Sequence, residues 1–299
     1  MRLGTSTNLL FGRPDGSRVS LEETLRLVSE AGFKVFDLNF YDWSLPGSPF
    51  LTADWKDWIS HAAELAKEKQ LVFGQCHGYF FPFLAPDMTD EEYARHKEMQ
   101  RRSFECCRIL GAKVCVLHPE TDYRFVDYEG ASLEGNLKFF DGVLEETRDL
   151  GLSVAIENMC DYGIAPKRKY CAYPAQLKAL VETLDSERIG ICWDFEHGDI
   201  MQQDQAECLR FIKSHLLATH VSDTYSRTDN RLMHVLPLTS GTIDWKTIMR
   251  TLREIRYQGD FCYEVHNYMN RIPDPAVPAA LKLAYEIGEY LMGIYAEAE

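Results

Sequence analysis

The stretch Ile189-Gly190-Ile191-Cys192-Trp193-Asp194-Phe195-Glu196-His197-Gly198 joins an apolar run to a carboxylate and, three residues on, to an imidazole. Ile189 to Trp193 have the character of a buried strand, and Asp194 stands where that strand would end. At a strand's C-terminal end both side chains can turn toward one point, and Gly198 lets the chain turn away. Alone, the pattern is read equally well as Asp194 capping the next helix, with His197 in a loop. The neighbouring strands decide between the two.

Toward the N-terminus, Ser153–Ile156 is a strand candidate ending at Glu157, Val114–Leu117 ends at His118, and Leu71–Cys76 ends at His77. Two earlier candidates are Lys34–Phe40 and Arg2–Asn8. Toward the C-terminus, Leu216–Thr219 ends at His220 and Phe261–Tyr263 at Glu264. Helices are expected between them. One opens on a Ser20/Glu23 capping box and runs to Ala31; others span residues 54–69, Thr89–Leu110, part of 130–150, Pro174–Leu184 and 205–214. Two more follow, Trp245–Ile255 behind an Asp244 cap and residues 278–296. Residues 41–53 and 222–240 read as loops. Most of the strands are continuous apolar runs, as in a parallel sheet buried on both faces. Eight such units predict an α/β fold, a (β/α)8 TIM barrel, as a single domain over residues 1–299. No Gly-x-Gly-x-x-Gly follows the first strand, which counts against a dinucleotide fold.

A net charge of −14 argues against a nucleic-acid partner, which needs a basic face. Nine scattered cysteines without a Cys-x-x-Cys pair suit a reducing compartment, with thiols packed as small hydrophobes. No apolar run approaches the roughly 18 residues of a membrane span, and the first residues lack a signal-peptide core. The expectation is a cytoplasmic protein with no membrane partner; a homo-oligomer is left open.

In a barrel the strand ends share one mouth, so His77, His118, Glu157, Asp194, His220 and Glu264 would meet there. Singly, each is more often a structural residue. Carboxylates and imidazoles gathered at one mouth need a cation to join them, and this mixed oxygen and nitrogen set suits Mn2+, Zn2+, Co2+ or Mg2+. Glu157, Asp194, His220 and Glu264 are the expected ligands, with His77, His118 and His197 as supporting groups, substrate contacts or ligands of a further ion.

The succession His118-Pro119, Ile156-Glu157-Asn158, Trp193-Asp194-Phe195-Glu196-His197, Thr219-His220-Val221-Ser222-Asp223 and Tyr263-Glu264 resembles the xylose isomerase-like barrel superfamily over nearly the whole chain. Within it the likeness is to the sugar phosphate isomerase/epimerase group that includes D-tagatose 3-epimerase. That resemblance implies a divalent metal on Glu157, Asp194, His220 and Glu264, with Glu157 and Glu264 as acid and base. His77, His118, His197, His234 and an arginine, Arg227 or Arg231, would contact a small-molecule sugar, a ketose or related polyol. Thr239-Ser240-Gly241 stands where the group usually has Gly-Glu-Gly. The same superfamily holds endonuclease IV, a three-zinc DNA-repair enzyme, and inosose dehydratase-like lyases. Leu232, ahead of His234, replaces a carboxylate ligand of the nuclease, so the sugar reading is preferred. Trp43, Tyr79, Phe80, Phe81 and Tyr225 are candidates for stacking on a sugar face.

Overall fold

Parallel strands must be joined by crossovers, and helices supply them here. The computed structural model describes residues 1–161, 168–225, 232–266 and 268–298. Its strands are β1 (Arg2–Ser6), β2 (Val35–Asn39), β3 (Val72–His77), β4 (Val114–Leu117), β5 (Ser153–Glu157), β6 (Ile189–Asp194), β7 (Leu216–His220) and β8 (Asp260–Tyr263). All pair in parallel in the order β7-β6-β5-β4-β3-β2-β1-β8. The seam between β7 and β8 closes just above the strands, where the Val221 N–H donates to Cys262 O (2.8 Å) and the Glu264 N–H donates to Val221 O (3.0 Å). The result is a nearly closed (β/α)8 barrel.

The helices are α1 (Leu21–Ala31), α2 (Phe40–Trp43), α3 (Trp55–Glu68), α4 (Asp90–Leu110), α5 (Tyr128–Glu146), α6 (Pro174–Leu184), α7 (Phe195–Ile200), α8 (Gln205–Ile212), α9 (Trp245–Glu254) and α10 (Val277–Glu297). Thr89 and Glu92 cap α4 reciprocally, the Thr89 hydroxyl accepting the Glu92 N–H while the Glu92 carboxylate accepts the Thr89 N–H. At α1 only half of the expected box forms. Ser20 accepts the Glu23 N–H, but the Glu23 carboxylate turns to Arg26, a stronger charged donor. The stretch read as a loop over 41–53 contains the end of α2 and a short 3-10 turn, Pro49–Leu51.

Alternation along the strands divides each into two faces. Outward side chains such as Phe36, Ile156, Ile191, Trp193 and Phe261 join Leu25, Leu177, Leu209 and Trp245 in the core beneath the helices. Each such burial contributes about 1.5–3 kcal/mol, so this layer carries the fold's stability. Inside the barrel, Val116, Ala155, Cys192 and Ala218 form a separate small cluster. Two residues further along each of these four strand lines stand His118, Glu157, Asp194 and His220. The same alternation that fills the barrel with small side chains therefore delivers the polar groups to its mouth. Gly190, two residues before Cys192, has no room for a side chain: a Cβ would lie 2.6 Å from His215 O.

A candidate metal centre at the barrel mouth

Register brings the four expected ligands together. Asp194 pairs with His220 across β6 and β7, and Glu157 pairs with Cys192 across β5 and β6. Ligand atoms of Glu157, Asp194, His220 and Glu264 all lie within 4.8 Å of one another, and all four residues are buried. His220 Nδ1 is 3.1 Å from Glu157 Oε1 and 3.0 Å from Glu264 Oε2. Its other nitrogen, Nε2, faces Asp37 Oδ2 at 3.3 Å. A carboxylate only accepts, so Nε2 carries the proton and the Nδ1 lone pair of a neutral ring would face two carboxylates.

Asp194 caps the helix that follows, as one reading of the opening stretch expected, though His197 lies in α7 and not in a loop. Asp194 Oδ1 accepts the His197 N–H (2.8 Å) and caps α7, while Oδ2, fully buried, has no hydrogen-bond partner. Glu157 Oε2 and His220 Nδ1 are also buried without a hydrogen bond. Unpaired buried polar atoms are costly, and here all three belong to residues of the one cluster. That donor set, three carboxylates and one imidazole, fits a divalent cation. Gly198 lies within α7 and is not at positive φ; it gives space, since a Cβ there would lie 2.8 Å from Gln205 Oε1.

The electrostatics tell the same story. Burial raises the Asp194 carboxyl to about 6, against the pull of His197 and with the charges of Glu157 and Glu264 adding to it. Burial would also raise Glu157 and Glu264, yet His220 holds both well below the usual carboxylate range. His220 in turn is held well above the usual imidazole value, burial being outweighed by its anionic neighbours, Glu264 and Glu157 among them. The carboxylates thus favour a proton on His220, and a metal ion would take the place of that proton.

Above these groups is a cleft of about 300 Å3, the lower end of the range for small-ligand sites. Glu157, Glu264, His77, His118, His197 and His234 line it; Asp194 and His220 do not. His77 Nδ1 donates to Gly78 O (3.1 Å), which leaves Nε2 facing His118 Nε2 at 3.0 Å and Glu157 Oε2 at 3.4 Å. Burial lowers the His77 pKa, but Glu157 outweighs it and holds the ring at about 9. His118 Nε2 is 3.2 Å from the same carboxylate oxygen, but burial outweighs that charge and lowers its pKa. His197 Nδ1 donates to Asn158 O (2.7 Å), and burial lowers His234 to about 3. Arg227 and Arg231 lie outside the described residues. Of the aromatic candidates only Phe80 lines the cleft, joined by Tyr41; Trp43, Tyr79 and Phe81 pack with the hydrophobic core, and Tyr225 is half exposed.

A family model described as xylose isomerase-like TIM barrel matches residues 25–287. The chain belongs to that family. This xylose isomerase-like barrel is 24% identical over 255 residues to an uncharacterised protein of Sinorhizobium fredii, covering 82% of this chain and 70% of the relative. Its structural neighbours include a D-tagatose 3-epimerase-like protein (TM-score 0.76, 20% identity, 99% of each chain). A second is the IolI protein with a bound zinc atom (TM-score 0.77, 16% identity, 99% of each chain). At these identities the two neighbours share the fold.

Four residues of this xylose isomerase-like site were not singled out from the sequence. Asp37 accepts from Gln75 Nε2 (2.9 Å) and the His77 N–H (2.8 Å) besides facing His220. Asn39 donates to Glu264 Oε1 (3.1 Å), and His266 lies 3.3 Å from the same oxygen. Glu196, 0% exposed, accepts from Ser222 Oγ (2.9 Å). The signal for Asp37 and Asn39 was available: two polar groups two residues apart in an otherwise apolar strand both face one side, and inside a barrel they need partners. For His266 the signal was its spacing from Glu264, two residues on.

Proposed function

We propose that this barrel is a divalent-metal-dependent sugar isomerase or epimerase acting on a ketose or related polyol. The observation that carries the reading is a division within the four-residue cluster. All four are buried, but only Glu157 and Glu264 line the cleft; Asp194 and His220 do not. Two of the expected ligands are thus open to a substrate, and they are the two that can act as acid and base.

Glu157, Asp194, His220 and Glu264 would hold the ion. When bound, it supplies Lewis acidity that stabilises negative charge developing on neighbouring substrate oxygens. Glu157 and Glu264 enter the cleft from β5 and from the end of β8, so they can face a bound carbon from different sides. One carboxylate removes the proton alpha to the carbonyl, and the other, protonated, returns one to the opposite face; that inverts the centre. Proton return to the neighbouring carbon instead gives aldose–ketose isomerisation. Asn39 and His266 hold Glu264 Oε1, so that carboxylate is oriented by hydrogen bonds, whereas His118 and His77 stand 3.2 and 3.4 Å from Glu157 Oε2 and steer it by charge. His197 and His234 offer ring nitrogens to substrate hydroxyls.

Turnover of a panel of free ketohexoses and ketopentoses in deuterated water tests the reading. Deuterium at the inverted or isomerised carbon is the expected outcome. Product free of deuterium over many turnovers would favour a hydride shift and remove the two glutamates from proton transfer. The DNA-repair reading predicts incision of DNA carrying abasic sites, lost in Glu264→Gln; none is expected from a chain of net charge −14 with Leu232 at the ligand position.

A further inference from the structure

The turn that carries Asp194 and His197 also carries a carboxylate with no place in the chemistry above. Glu196 is 0% exposed, and its partners come from outside its own helix. Oε1 accepts the N–H of Met233 (2.6 Å) and of His234 (3.1 Å); Oε2 accepts from Ser222 Oγ (2.9 Å) and again from the His234 N–H (3.0 Å). His234 itself sits at φ 46°, in the left-handed region that a residue with a side chain enters at a cost. Successive N–H groups that converge through a left-handed residue form a concavity that binds anions. Here the chain supplies a carboxyl group from α7, which burial raises to about 7 against the pull of the Met233 and His234 N–H groups.

Leu232 and His234 both line the cleft, so what fixes residues 233–234 fixes one of its walls. The His234 ring lies 4.4 Å from that of His266, which touches Glu264. We propose that Glu196 is a positioning residue: its carboxylate fills the backbone concavity at Met233–His234 and holds the Leu232–His234 edge against the cleft for substrate recognition. Glu196 touches neither the expected ligand atoms nor the reacting carbon. Its effect passes through the segment it fastens. The part that concerns substrate rests on the sugar-enzyme reading above; the fastening does not.

Three readings on Glu196→Ala and Glu196→Gln, with metal-loaded protein, test this. Amide hydrogen exchange of the peptide spanning residues 232–236 should quicken about tenfold or more in Glu196→Ala, because its N–H acceptor is gone. Metal content should match that of the unsubstituted protein. KM for the ketose turned over fastest should rise about tenfold, with kcat within about threefold, the mark of lost ground-state binding. Glu196→Gln keeps one acceptor oxygen and should fall between. Unchanged exchange in Glu196→Ala overturns the fastening, as does loss of metal, which would mean that Glu196 acts through Asp194. Faster exchange with KM unchanged overturns the recognition role. If no ketose is turned over by the unsubstituted protein, the sugar reading fails while exchange still decides the fastening. Should Glu196→Ala not fold, Glu196→Gln decides by the same readings: about threefold in exchange and KM is expected, and no change overturns the proposal.

Discussion

Asp194 and Asp223 are each 1% exposed and stand near the ends of neighbouring strands, yet they are built into opposite surroundings. Asp223 Oδ1 accepts the N–H groups of Thr224 (2.9 Å), Thr242 (3.0 Å) and Ile243 (3.2 Å), and its Oδ2 accepts from Trp245 Nε1 (2.7 Å). It ties the end of the long β7–α9 connection to α9, and its hydrogen-bonding capacity is largely used. Asp194 keeps one oxygen without a hydrogen-bond partner and stands in a cluster with two other carboxylates. A buried carboxylate surrounded by donors is a fastening. One that shares its space with further carboxylates is a candidate ligand, because a cation among them makes that arrangement favourable. Glu120, just past β4, is a third case: it belongs to no metal-capable cluster among the described residues, and burial raises its carboxyl to about 7 despite Lys169.

The comparison breaks most visibly in turnover. Glu157→Gln and Glu264→Gln should each lower kcat by about 1,000-fold or more, roughly 4 kcal/mol of barrel-mouth chemistry, with KM little changed. Steady-state kinetics on the ketose found active checks this; a loss confined to KM would assign the glutamates to binding alone.

Next in size is the pair itself. Asp194→Ala should abolish metal retention, measured by elemental analysis, while leaving the fold intact. Asp223→Ala should do the reverse, keeping the metal and losing about 3 kcal/mol of stability in denaturant unfolding, because buried N–H groups are left unpaired. Equal effects of the two substitutions on metal content would erase the distinction.

A smaller effect belongs to Asp37, which holds His220 by its outer nitrogen. Asp37→Asn should weaken zinc binding by about 10–100-fold in calorimetric titration, since the ring loses the partner that fixes its orientation and basicity.

The smallest concerns Glu120. A carboxyl raised in the folded state keeps its proton there while the unfolded chain releases it, so its contribution to stability is lost as pH rises from the ordinary carboxyl value to about 7. Glu120→Gln should therefore be more stable than the unsubstituted chain by about 1 kcal/mol at pH 8 and equal to it near pH 4. A gain at both values would point to packing instead.

Much of this was written locally. Most barrel strands are apolar runs closed by a polar residue, so the count of strands, the barrel and the placing of His77, His118, Glu157, Asp194, His197, His220 and Glu264 at its mouth followed from reading single segments. Asp37 and His266 were passed over. His234 came only from the resemblance, because the loop around it has no periodicity. What no segment could show was partnership. Whether Asp194 caps α7 or faces a cation depends on which oxygen meets His197 and which meets Glu157 and Glu264, and those residues are 37 and 70 positions away in the chain. The fates of Glu196 and Asp223 were equally closed to sequence reading: both look like loop carboxylates, and both are fastenings because N–H groups from the β7–α9 connection fold back onto them. Trp43, Tyr79 and Phe81 failed as cleft residues for the same cause. An aromatic side chain near a strand end can turn inward to the mouth or outward beneath the helices, and its own neighbours in sequence do not say which. Side-chain periodicity is a local property of backbone geometry, and the sequence carries it; hydrogen-bond satisfaction is a property of contacts between distant segments, and only the closed barrel decides it.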